Sequence, residues 1–294
     1  MFFKKFIEIF PKVCYTESTD SHHKKTEEKH MQILLDRYPG GKTKALTMSY
    51  DDGQIHDRRL VEIFNKNGIK GTFHLNSGRF NTPSFVSEEE VAALYAGHEI
   101  SCHTLTHPHL ELLRPEGVLA EIQEDRRRLE RLAGYVVRGM SYPYGSYTRP
   151  VIELLRAAGM EYSRTTAATR SFGLPADFME WHPTCHHRDC LSLLDAFLQP
   201  PHRNTLQLFY VWGHSYEFDR NNNWDLMEAF CEKAAHQEDV WYATNIEIKD
   251  YLCALRELRL SQDSTMLYNP TALDLWVSVD RLPACIPAGA TVEF

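Results

Sequence analysis

The stretch ALTMSYDDGQIHD, residues 45–57, decides the reading of this chain. A short apolar run with β-forming residues ends in two adjacent carboxylates, Asp51 and Asp52, followed by Gly53 and then by the helix pattern RRLVEIFNKNG. Strand, polar strand end, helix is the unit of a parallel α/β fold. Two like charges at the mouth of a buried strand repel unless a cation or a proton neutralises one of them.

The same rhythm repeats on both sides. IKGTFHL, HEIS, VVRGMSY, MEYSRTT, TLQLFYVW and VWYATN read as further strands, separated by amphipathic helices such as RPEGVLAEIQEDRRRLERLAG and RPVIELLRAAG. Gly134 suits a helix C-terminus and Pro150 a first helical turn. About seven βα units predict an α/β fold, a (β/α) barrel of about seven parallel strands rather than an open sheet. The expected organisation is an extension over residues 1–30, a barrel domain over 31–262 and a small β-rich appendage over 263–294.

Composition narrows the function. The 294 residues carry a formal net charge of −8 and 43% hydrophobic residues, which argues against nucleic acid as a partner. Seven cysteines, odd in number and irregularly spaced, do not make a disulfide scaffold, and a mostly reduced set is expected. The first residues, MFFKKFIEIFPKVC, are broken by charges and Pro11 and lack a small-residue cleavage site. No apolar run reaches the ~20 residues of a membrane span. The expectation is a soluble, cytoplasmic protein, with export left open and no statement on oligomeric state.

Residues just past the predicted strands form one set: Asp51 and Asp52, Asn76, His103, Pro143-Tyr144-Gly145, Arg164, His214 and Asn245. Barrel enzymes build their sites there. In SCHTLTHPHL, His103 and His107 are four apart, so a helical turn would aim both imidazoles the same way. With Asp52 they make a His-His-Asp set with open positions, suited to a divalent metal that carries a reacting water. Asp51, free of the metal, would then accept a proton. EWHPTCHHRDC gathers Cys185, His186, His187 and Cys190 without a familiar zinc spacing, so Trp181 and His187 are expected to line a substrate groove instead.

TMSYDDG, HTLTH, SYPYG and YVWGH, in that order, resemble the signature blocks of the polysaccharide deacetylases, the chitooligosaccharide-deacetylase homology domain of carbohydrate esterases, across about residues 43–250. The resemblance implies that the barrel is distorted, and it implies a metal-dependent hydrolase that removes N- or O-acetyl groups from an acetylated poly- or oligosaccharide. It implies Asp51 as base, Asp52, His103 and His107 as metal ligands, the Tyr144 backbone N–H as oxyanion donor and His214 as general acid. Tyr142, Pro143 and Trp212 fall in the blocks that line the groove. Zinc is the default ion, with cobalt, nickel or manganese as alternatives. The chain departs from the family where Ser141 replaces the Arg of the third block, and Arg164 is the expected substitute that orients Asp51. The fourth block is only echoed in DFMEW (Asp177, Glu180, Trp181), which points to a divergent branch. Competing readings are an amidohydrolase acting on a small non-sugar amide and a non-catalytic carbohydrate-binding protein.

Overall fold

The computed structural model describes residues 31–200 and 205–294, which form one compact unit. The anticipated extension over residues 1–30 lies outside the described residues.

Eight strands, all parallel, make the central sheet: β1 (Lys44–Asp52), β2 (Gly71–Leu75), β3 (Glu99–Cys102), β4 (Gly139–Ser141), β5 (Tyr162–Arg164), β6 (Cys185–His186), β7 (Gln207–Gly213) and β8 (Val240–Tyr242). Seven run in the order β5-β4-β3-β2-β1-β7-β6, and β8 pairs with β1 off this path. β1 is the hub. Residues Lys44–Tyr50 pair with β7 on one side, while the other side splits between β8 at Lys44–Leu46 and β2 at Met48–Asp52. Its first eight residues are buried, as expected of a central parallel strand covered on both faces. The path ends β5 and β6 do not pair as strands; Arg164 makes a lone parallel bridge to Trp181 between them. The result is the barrel that the repeating units predict, distorted and incompletely closed as the resemblance implies.

Helices α1 (Asp57–Lys66), α2 (Val91–Leu94), α3 (Pro115–Ala133), α4 (Arg149–Ala157), α5 (His187–Leu198), α6 (Tyr216–Arg220), α7 (Trp224–Ala234) and α8 (Asn245–Arg256) lie between or after the strands. α3 buries Val118, Ile122, Asp125 and Leu129 on one face and ends at Gly134, whose φ of 75° is the left-handed cap the sequence suggests. α2 is a single turn, shorter than the pattern SEEEVAALYAG predicts. The cysteine and histidine run hides a two-residue strand, β6, and the start of α5, and α6 is a five-residue helix just past His214; the sequence pattern marks none of the three. Among the described residues no helix is long and apolar enough to cross a membrane.

Beyond the central sheet, short strands of the C-terminal part form two small antiparallel sheets. Arg259–Leu260, Met266–Tyr268 and Thr291–Glu293 form one small antiparallel sheet. Leu275–Val279 and Leu282–Ile286 form another with Ile33–Leu34.

The N-terminal part of the sheet is tied by a buried carboxyl. Glu99 on β3 accepts from Thr72 Oγ1 (2.9 Å), Tyr162 Oη (2.7 Å) and the Ile246 backbone N–H (2.9 Å), joining β2, β5 and α8. Burial pushes its pKa up to about 7 against the pull of those three donors. A raised carboxyl pKa adds stability below the unfolded value and loses it as pH rises through the folded value. Wild type should therefore lose thermal stability from pH 4.5 towards 7 more steeply than Glu99→Gln; parallel melting curves in the two proteins would refute this role.

Candidate active site

The functional side chains gather at the C-terminal ends of β1, β3, β4, β5 and β7. Asp51 is 3% exposed. Its Oδ1 accepts from Ser141 Oγ at 3.0 Å and its Oδ2 from the Arg164 guanidinium, itself fully buried. His103 Nε2 stands 3.9 Å and His214 Nε2 4.0 Å from the same Oδ2. Burial alone would raise the pKa of Asp51. Arg164, helped by His103, His74 and His214, outweighs that and holds the carboxyl well below its ordinary range.

Asp52, the last residue of β1, has a left-handed backbone with φ 82° while still paired with Leu75 of β2. Gly53 follows at φ 74°, where a Cβ would meet Leu75 Cδ2 at 2.9 Å, so the close turn needs glycine. Asp52 Oδ1 lies 3.7 Å from His103 Nε2 and 3.7 Å from His107 Nε2. These are the three donor groups that the sequence set aside for a metal, and all their ligand atoms lie within 4.8 Å of one another.

The histidines do not share a helical turn. Thr104 and His107 have φ of 68° and 66°. Asn76 donates to the carbonyls of His103 and Thr104, and the His107 N–H bonds Thr104 Oγ1 at 3.0 Å. A side chain from the end of β2 and a local threonine turn thus place both rings, where spacing alone suggested a helix.

His103 Nδ1 lies 2.9 Å from the Ser141 carbonyl and 2.7 Å from Ser141 Oγ. A proton on Nδ1 donated to the carbonyl leaves the Nε2 lone pair facing Asp52, the arrangement seen in metal-binding imidazoles. Burial lowers the pKa of His103 well below the usual value and also lowers that of His107, so both rings are neutral ligands. Burial, with Asp51 adding to it, raises that of Asp52 despite the pull of His214. A cation about 2.0–2.2 Å from each donor would separate them by roughly 3.4 Å in tetrahedral geometry, close to what the side chains adopt. The residues fit a divalent metal.

Opposite stands His214, at the end of β7. Burial disfavours its imidazolium, but Glu217, 3.7 Å from Nδ1, together with Asp51 and Asp52 outweighs this and raises its pKa. Its loop is pinned by Ser215 Oγ, which donates to the buried Asp57 at 2.5 Å, while Tyr95 Oη donates to the other oxygen at 2.7 Å.

Arg164 reaches Asp51 from β5, as the sequence reading prefers, and its guanidinium lies 4.5 Å under the Trp212 ring. Arg138 is turned away, paired with Asp250 and Glu161. Tyr144, with φ 60°, is 57% exposed; its ring stacks on His109 at 3.9 Å and meets His107 edge-on at 4.5 Å. His109, two residues past His107, therefore stands at the rim with Tyr144.

Four expected groove residues are corrected. Trp181 is 1% exposed, packed against Tyr162, Phe178 and Tyr210. His187 is enclosed between Tyr50 and Phe218. Tyr142 is buried, donating to the Met179 carbonyl and stacked on Tyr147, and Pro143 is buried beside it. At these positions the ring faces are covered by their neighbours and fill the barrel wall, so none of them is open for a sugar to stack on. Asp177 caps Met179 and pairs with Arg156, and Glu180 accepts from Tyr147, so the DFMEW echo is structural here.

Two positioning residues escaped the sequence reading. Asp125 on α3 is fully buried and accepts from the backbone N–H groups of His103 (3.2 Å) and Ser77 (2.8 Å). Its signal was an acid on the otherwise apolar stripe Val118, Ile122, Leu129. Glu217 lies three residues after His214, a spacing that puts it within reach on one helical turn.

Residues 38–163 match the family model described as polysaccharide deacetylase. A chitin deacetylase of Arthroderma benhamiae is 28% identical over 113 residues, 36% of this chain and 29% of that protein. Peptidoglycan-N-acetylglucosamine deacetylase PgdA of Listeria monocytogenes is 26% identical over 138 residues, 46% of this chain and 29% of its own length. The chain thus spans less than a third of either relative. In fold it is similar to a candidate polysaccharide deacetylase from Mycobacterium smegmatis, with a TM-score of 0.58 and 17% identity over 76% of this chain and 94% of that one. The chain is thus similar to the polysaccharide deacetylases over residues 38–163, the part that carries Asp51, Asp52, His103 and His107.

The Asp51–Arg164 pair gives a direct test. Arg164→Met strands a buried carboxylate and should cost about 3–5 kcal/mol of stability. Adding Asp51→Asn should recover much of that loss; strict additivity in the double-mutant cycle would mean that the two side chains do not interact.

Proposed function

We propose that this chain hydrolyses N- or O-acetyl groups on an acetylated poly- or oligosaccharide. The observation that supports it is the division of labour around Asp51: a buried carboxylate held by Arg164 and Ser141, with a three-donor metal set on one side and a protonatable His214 on the other. Asp52, His103 and His107 would hold the divalent metal, zinc by default and cobalt, nickel or manganese as alternatives. When bound, such an ion polarises a carbonyl and lowers the pKa of water.

Asp51 accepts the proton of the attacking water, and Arg164 and Ser141 hold its oxygens in place while it does so. The Tyr144 backbone N–H serves the oxyanion that develops on the acetyl carbonyl. His214 delivers its Nε2 proton to the departing amine or alcohol, and Glu217 beside Nδ1 keeps the ring charged until then. Acetate and a free amino or hydroxyl group result. The exposed Tyr144 and His109 pair at the rim gives a sugar ring an apolar face to stack on, which favours a glycan over a small charged amide.

Acetate release from a panel of N-acetylated and O-acetylated oligosaccharides, with and without chelator, tests this. Asp51→Asn should lower turnover by about 10²–10⁴-fold with metal content unchanged, and His214→Ala should fall in the same range. Full activity in either variant, or in chelator-stripped protein, would overturn the assignment. His103→Ala should lose the metal as well as the activity; unchanged metal content by elemental analysis would remove it from the ligand set.

A further inference from the structure

Beside His214, on the side away from Asp51, His186, His187 and Glu217 bring two imidazole nitrogens and a carboxylate oxygen within 4.8 Å of one another. They come from three elements: the end of β6, the first residue of α5, and α6. We propose that these three side chains form a second binding site for a divalent transition metal of the zinc class, separate from the Asp52, His103 and His107 set.

The geometry is that of converging ligands. His186 Nε2 lies 2.9 Å and His187 Nε2 3.3 Å from Glu217 Oε2. Yet Oε2, which is buried, accepts no hydrogen bond from either ring, since neither approach has hydrogen-bond geometry. Two imidazoles and one carboxylate, with positions left for solvent, are a donor set that zinc-class ions accept. Burial at 1% exposure favours the neutral, ligand form of His187.

The ring protons have somewhere to go. His187 Nδ1 has no hydrogen-bond partner among the described residues, so it can carry the proton when Nε2 binds a cation. His186 Nδ1 meets only the Arg188 backbone N–H, at a long 3.4 Å, a contact given up when the proton moves there. The site also depends on a glycine. A Cβ on Gly213 would stand 2.0 Å from His187 Nδ1, so a side chain at the end of β7 would displace the ring. The cysteines of the same run take no part: Cys185 and Cys190 are buried among core residues.

Metal uptake tests the site without reference to turnover. The full chain, stripped with chelator and reloaded with Zn²⁺ alone, should take up about two equivalents, His186→Ala and His107→Ala about one each, and the double variant none. One equivalent in wild type, retained in His186→Ala and lost in His107→Ala, would overturn the proposal while leaving the Asp52 set standing. Two equivalents retained in His186→Ala would overturn it as well. If His107→Ala retained both equivalents, the Asp52 set would fail on its own. Co²⁺ absorption of the His107→Ala protein covers the case in which His186→Ala does not fold: d–d bands support the site and their absence overturns it.

Discussion

An ionised carboxylate as enclosed as Asp51 persists only where the protein supplies what water would otherwise give it. Here the supply is the Arg164 guanidinium on Oδ2 and the Ser141 hydroxyl on Oδ1. Each partner is itself constrained. Arg164 is roofed by Trp212 and bonded to the Thr165 carbonyl. Ser141 also receives His103 Nδ1, so one short side chain links the Asp51 carboxylate to the nearest histidine of the metal set. The barrel path places β1, β4 and β5 so that these contacts are made across strands that are not neighbours in sequence.

The serine at residue 141, where the resembled third block carries arginine, has a physical explanation. Where the third block carries Ser141 in place of arginine, the positive charge arrives from β5, at the same carboxylate but from another direction. A buried acid needs a counter-charge, but it does not require that the charge come from one particular strand. At residue 141 the serine hydroxyl instead bridges Asp51 and His103. This is consistent with the divergent character of DFMEW, whose two acids are occupied by Arg156 and Tyr147.

Around this centre the chain uses left-handed backbone at points where side chains must be redirected. Asp52, Thr104, His107 and Tyr144 all have positive φ without being glycine. Such conformations cost of order 1–3 kcal/mol each and persist where surrounding bonds over-determine them. Asn76, Asp125 and the Thr104 hydroxyl do that for the histidine loop. The loop after β7 is held similarly, by Ser215 on Asp57.

The sequence by itself determined the alternation of strands and helices, the paired acids at a strand end, and the set Asp52, His103 and His107, because period, turn chemistry and ligand type are local properties. Arg164 too was legible, as a charge at a strand end facing a site that lacked one. Only the tertiary structure decided which aromatic rings face solvent. Trp181, Tyr142 and His187 carry the same residue types as groove linings, but their burial depends on what packs over them from distant segments. The roles of Asp125 and Glu217 were hidden for the same reason. Asp125 is recognised by the backbone donors of Ser77 and His103 and Glu217 by the histidines beside it, groups from the ends of β2, β3, β6 and β7 brought together by the fold.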